Sequence, residues 1–139
     1  MKVFIIIMSL FLMKGCSENK NIEKIKVQYV AETRGYYKSV KIENKEFLVT
    51  NVRDGEYQKI NLEENEWKLL SDLFSQIDLE NFEKLIGPTK ERDFDKKAFG
   101  NLFITKNNKI YQTKGFDHTI PPTEIKPFVD LILEYSKKE

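Results

Sequence analysis

The sequence predicts an α+β domain: an antiparallel sheet of about five to six strands with two main helices on one face, in the order βββ(β)-α-ββ-α. Three observations carry that prediction. Apolar residues alternate with period two from Ile25, a stripe led by Trp67 repeats at helical spacing, and a second hairpin precedes a terminal apolar helix pattern.

Ile25, Val27, Tyr29 and Ala31 alternate with Lys26, Gln28 and Val30, as expected of a strand buried on one side. Thr33-Arg34-Gly35 interrupts the alternation, and Tyr36, Tyr37, Val40 and Ile42 support a second strand. Phe47-Leu48-Val49 supports a third. Asp54-Gly55 then predicts a tight reversal before Tyr57 to Ile60, because glycine tolerates a positive backbone angle.

After Asn61 the period changes. Trp67, Leu70, Phe74 and Ile77, supported by Leu69 and Leu73, form one face of a helix, and Asn61 and Glu64 have capping-box spacing. Asp78 to Ile86 adds a short helical turn that Gly87-Pro88 stops. A charged connection from Thr89 to Lys97 leads to a strand over 99–105, a turn at 106–108 and a return strand over 109–113. The first of these is apolar enough for a central place in the sheet. The last helix is expected from near Thr123 to Tyr135, with Pro127 in its first turn and Ile125, Phe128, Val129, Ile132 and Leu133 on its buried face.

Ahead of the domain, Met1 and Lys2 precede an apolar run from Val3 to Met13 broken only by Ser9; then come Lys14, Gly15 and the only cysteine, Cys16. The run is too short for a permanent helical span, which needs about 20 residues. A basic start with a short apolar core matches a secretory signal. With Gly15 directly before Cys16, it resembles a bacterial lipoprotein signal, although Met13 and Lys14 stand where that family places Leu and a small residue. The resemblance implies cleavage before Cys16 and lipid on its sulfur. The other readings of the leader are an ordinary secretory signal and a retained N-terminal anchor. The expected organisation is a signal peptide over 1–15, a lipidated cysteine and tether over 16–21, and a single domain over 22–139.

Thr33-Arg34-Gly35-Tyr36-Tyr37, the helix led by Trp67 and the hairpin before a terminal helix resemble small Bacteroidetes lipoproteins of unknown function. More distantly they resemble an α+β domain family of unknown function that begins Thr-Arg-Gly. The chain departs from the latter where Tyr36-Tyr37 replaces a Gly-Pro-Cys type of continuation. The likeness implies a fold and assigns no catalytic residue.

Composition excludes several functions. The chain has 23 Lys and Arg against 22 Asp and Glu, and loss of Lys2 and Lys14 with the leader leaves the signs still balanced to within one. Such a balance gives no basis for binding a nucleic-acid backbone. Without Cys16 the domain has no thiol for a disulfide, a thiolate metal site or a cysteine nucleophile. The glycines form neither a phosphate loop nor a dinucleotide loop, and no cofactor is expected.

His118 is the single histidine. A metal site here would need carboxylates brought from elsewhere, with Asp93, Asp95 and Asp117 the candidates, but the spacing is not that of a metal loop, and a histidine fixing its own loop or facing solvent is the simpler reading. Ser39, His118 and Asp117 compose a triad on paper without a nucleophile elbow. A small envelope hydrolase using His118 and an acidic partner in an open cleft therefore stands as the alternative, and it loses its basis if Asp117 is buried against backbone donors and His118 turns outward alone. A purely structural envelope protein is the third reading. Arg34 with Tyr37 and the corner Phe116-Asp117-His118 are the candidate binding surfaces, since arginine and aromatic side chains favour contact sites. Only one of Tyr36 and Tyr37 can share a face with such a surface. In both places a structural role competes, with Phe116 plugging the core.

The expectation is therefore a membrane-anchored lipoprotein facing the periplasm or the cell exterior. It would act as a non-catalytic binding or accessory domain toward an envelope protein or envelope component.

Overall fold

The computed structural model of the protein describes residues 22–94 and 96–139. The leader, Cys16, the tether and Asp95 lie outside the described residues. Among the described residues, no helix is long and apolar enough to cross a membrane.

The period-two segment forms β1 (Lys26–Thr33), which buries Val27, Tyr29 and Ala31. It runs antiparallel to β2 (Tyr36–Glu43), with Tyr29 opposite Val40 and Thr33 opposite Tyr36. Gly35 closes the hairpin at φ +81°, a value open to a residue without a Cβ. β2 turns through Asn44-Lys45 (φ 52° and 58°) into β3 (Glu46–Thr50). Two successive positive angles give a turn whose twist matches the strands it joins.

Asp54-Gly55 departs from the tight reversal expected. Asp54, not Gly55, takes the positive angle (φ 58°), and residues 51–57 form a loop before β4 (Gln58–Ile60). Gly55 is required by space instead, because a Cβ there would lie 2.8 Å from the Val52 Cβ. The loop folds back over the face of the sheet opposite the core. Tyr57 donates its hydroxyl to Ser39 Oγ at 2.9 Å, and Arg53 lies over the Tyr37 ring while pairing with Glu32 at 2.9 Å.

The Trp67 stripe forms α1 (Glu64–Ser75), with Trp67, Leu70 and Phe74 buried and Leu69 facing water. Its cap lies two residues beyond the expected Asn61: Glu63 caps the helix, and Glu66 accepts from the Glu63 N–H at 2.8 Å. A carboxylate in the first turn also suits the positive helix end. A 3-10 turn at Phe82–Lys84 supplies the expected short helical piece and buries Phe82.

β5 (Phe99–Lys106) returns to pair with β1, placing Leu102 opposite Tyr29 and Ile104 opposite Val27. On its other side lie β6 (Lys109–Gln112) and, further along the same edge, β7 (Phe116–Asp117). Among the described residues the sheet order is β4-β3-β2-β1-β5-β6, six strands within the expected five to six, and the two-residue β7 is added on β5. β5 has neighbours on both sides, as its apolar run predicts.

α2 (Lys126–Tyr135) starts three residues after the expected Thr123, with Pro127 in its first turn. Its buried face is Phe128, Val129 and Ile132, as expected, with Ile125 buried at its cap; Leu131 and Tyr135 are added to that face, and Leu133 is only partly buried. Tyr135 packs edge-on against Phe47 of β3, and Phe128 packs on Phe74 of α1. Both helices thus cover one face of the antiparallel sheet, and the class is α+β.

One backbone approach in this core sets the later site. Gly100 sits opposite Ala31 on β1 and opposite Phe116 on β7. A Cβ at Gly100 would lie 2.7 Å from a Phe116 ring carbon and 3.0 Å from the Tyr29 hydroxyl. Gly100→Ala is therefore expected to cost about 1 to 3 kcal/mol by forcing both rings to move. Urea unfolding of the two proteins measures it, and an unchanged midpoint rejects the tight-packing account.

Candidate functional site

The β5–β7 pairing puts Phe116, Asp117 and His118 in three different surroundings. Phe116 points into the core and is fully buried, beneath Gly87 and Gly100. Asp117 is fully buried as well. Neither belongs to a recognition surface, which corrects the exposed corner expected from the sequence: pairing with β5 turns Phe116 into the core, as the plugging role had it, and Asp117 to the opposite face, where the 89–92 segment covers it.

Asp117 is an anchor. Its oxygens accept from the Thr89 hydroxyl, from the Glu91 and Arg92 N–H groups at 2.8 and 2.9 Å, and from Arg92 Nη1 at 3.1 Å. Burial alone would push its pKa up, but the hydrogen bonds from Thr89, the two amides and the guanidinium win and hold the carboxyl at about 2. The carboxylate so fastens the 3-10 turn Glu91–Phe94 to β7. Sequence reasoning marked Asp117 but missed Thr89 and Arg92, which reach it only through the folded chain.

His118 is held on the helix side of the sheet. Its Nδ1 lies 2.7 Å from the Tyr29 hydroxyl and its Nε2 lies 3.0 Å from the Tyr36 hydroxyl. Burial, then the charges of Lys38 and Lys97, push the imidazole down to about 4, so it is neutral at physiological pH. Burial pushes the Tyr29 phenol well above its ordinary value.

No family model, curated protein or solved structure matches the chain significantly. A functional reading therefore rests on where the side chains lie.

The paper triad is dismantled by the fold. Ser39 alternates with Val40 and so faces away from the core, where it is bonded to Tyr57 and Gln28. His118 is on the opposite face, and Asp117 is occupied. Asp93 is exposed on its turn, and no group of three or more histidine, cysteine or acidic side chains among the described residues is placed to hold a metal.

Arg34 and Tyr37 are not brought to His118. Arg34 lines a concavity of about 570 Å³ with Glu32, Thr33, Arg53 and Phe99, and Tyr37 lies under Arg53 beside it. Tyr36, passed over in favour of Tyr37, faces the helices with Lys38, because Thr33 and Ala31 are their partners on β1. Together with His118, Leu133 and Ser136 they line a cleft of about 410 Å³ between β2 and the end of α2.

Proposed function

We propose that the protein is a lipid-anchored binding or accessory domain of the cell envelope, tethered through Cys16 and acting on an envelope protein or component by contact. The observation that supports contact over hydrolysis is the engagement of Asp117 and His118. The carboxylate is spent on the 89–92 segment, and both imidazole nitrogens are bonded to tyrosines. A general base needs an unoccupied lone pair within reach of substrate. What lies open beside His118 is a cleft presenting hydroxyl and ammonium groups, a constellation suited to holding a ligand.

The leader supports the anchor. Each buried methylene of an acyl chain contributes about 0.8 kcal/mol, and two or more chains hold a water-soluble domain at a bilayer. Intact mass and membrane fractionation of the wild type and Cys16→Ala test this reading. Acylated, membrane-bound wild type and an unmodified Cys16→Ala protein released from the membrane are expected. A wild type without added acyl mass overturns the anchor.

A further inference from the structure

The proton order around His118 follows from Tyr29. That side chain is fully buried, and its hydroxyl has His118 Nδ1 within hydrogen-bond reach. A buried hydroxyl must place its own proton on an acceptor, and His118 Nδ1 at 2.7 Å is the one at hand. The imidazole then carries its proton on Nε2 and donates it to the Tyr36 oxygen at 3.0 Å. Tyr36 is 38% exposed, and its hydroxyl proton is left for the cleft.

Lys38 stands two residues along β2 on the same face, about 7 Å away along the strand. Its ammonium donates to Ser136 Oγ at 3.3 Å, and Ser136 donates onward to the Leu133 carbonyl at 2.7 Å. No carboxylate of the described residues pairs with Lys38. Lys137 lines the cleft beside it and adds to the positive charge it feels. The acids on the cleft, Asp130 and Glu134, lie on α2, and Asp130 is paired with Lys126 at 2.6 Å. The result is a wall with two donors, the Tyr36 hydroxyl and the Lys38 ammonium, the latter without a carboxylate partner, facing a wall with acidic groups and the apolar Leu133.

We propose that this cleft binds a small organic carboxylate, its oxygens taken by the Tyr36 hydroxyl and the Lys38 ammonium and its carbon skeleton laid against Leu133 and the His118 ring. The assignment rests on the binding reading above and names its ligand class. Hydrogen bonds between an ammonium and a carboxylate are stronger than neutral ones, so Lys38 dominates. Asp130 and Glu134 repel a carboxylate and a phosphate dianion alike, the dianion about twice as strongly, and Lys38 answers one charge better than two. The neutral imidazole orients Tyr36 and adds no charge of its own.

The test titrates the full-length protein in detergent with benzoate, acetate and inorganic phosphate, following the His118 ring nitrogens and the Lys38 ammonium by NMR. Saturable shifts are expected with benzoate, weaker ones with acetate and weaker still with phosphate. Lys38→Met is expected to weaken benzoate binding about tenfold or more, the effect of one hydrogen bond to a charged group. Tyr36→Phe is expected to weaken it by a smaller factor, and Tyr37→Phe, on the other face, to leave it unchanged. Absence of saturation, phosphate binding as tight as benzoate, or insensitivity to both Lys38→Met and Tyr36→Phe overturns the assignment. Failure here with Cys16-dependent acylation intact removes the ligand and leaves the anchor; lost acylation with saturable benzoate binding does the reverse.

Discussion

Asp117→Asn is expected to lower the unfolding free energy by about 3 to 5 kcal/mol at neutral pH, the usual cost of breaking an enclosed charge pair from one side. The amide keeps the shape of the carboxylate but exchanges one acceptor oxygen for an NH2 group. Thr89, the Glu91 and Arg92 amides and Arg92 Nη1 all donate toward this position, so at least one donor loses its acceptor. Arg92, with its side chain 16% exposed, also loses its counter-charge. The wild-type carboxyl is held at about 2, below its ordinary 3.8. Its contribution is therefore complete above about pH 4 and is lost as pH falls toward 2. Urea unfolding across pH should show the gap between wild type and Asp117→Asn narrowing below pH 4. A gap that stays constant down to pH 2 contradicts the anchor.

Mild acid should weaken the fold through His118, at a pH where Asp117 is still charged. The imidazole is pushed down to about 4 from 6.5, so between these values the unfolded chain binds a proton that the folded chain refuses. Stability is complete above about pH 6.5, falls as pH drops, and levels off near 4 once both states are protonated. The shift corresponds to a loss of up to about 3 kcal/mol. The cause is concrete: a protonated Nδ1 can no longer accept from Tyr29, and the new charge faces Lys38 and Lys97. With a single histidine in the chain, His118→Gln should abolish the slope in that window. A wild-type midpoint that is flat from pH 6.5 to 4 rules out the buried neutral imidazole.

The layers of the fold were legible because their signals are local. Ile25, Val27, Tyr29 and Ala31 show a half-buried strand without any partner in view, and Trp67, Leu70 and Phe74 show a helix face in the same way. Where a boundary depended on competing groups, the expectation fell two residues short: Glu63 with Glu66 outcompeted Asn61 with Glu64 as the α1 cap. β7 is two residues long and exists only because β5 lies beside it, so no periodicity announces it.

The candidate site was legible by residue type and not by role. His118 and Asp117 stood out as rare or charged groups in a loop, yet the partners that decide their chemistry lie far away in sequence. Arg92 is 25 residues from Asp117, Tyr29 is 89 from His118, and Ser136 is 98 from Lys38. Alternation showed that Tyr36 and Tyr37 take opposite faces. Which face meets the helices was fixed only by the register Thr33 to Tyr36. Tyr29 reads as one more core aromatic until its hydroxyl is seen against His118.

The sheet is also assembled out of chain order. β1 pairs with β2 across a two-residue turn, whereas its other neighbour, β5, enters only with Phe99 to Lys106. A nascent chain therefore presents one side of β1 as a naked row of amides and carbonyls for the whole time that α1 and the charged connection are being made. Such a row invites pairing with another chain. That edge is closed only when Phe99 to Lys106 has been made and pairs along it.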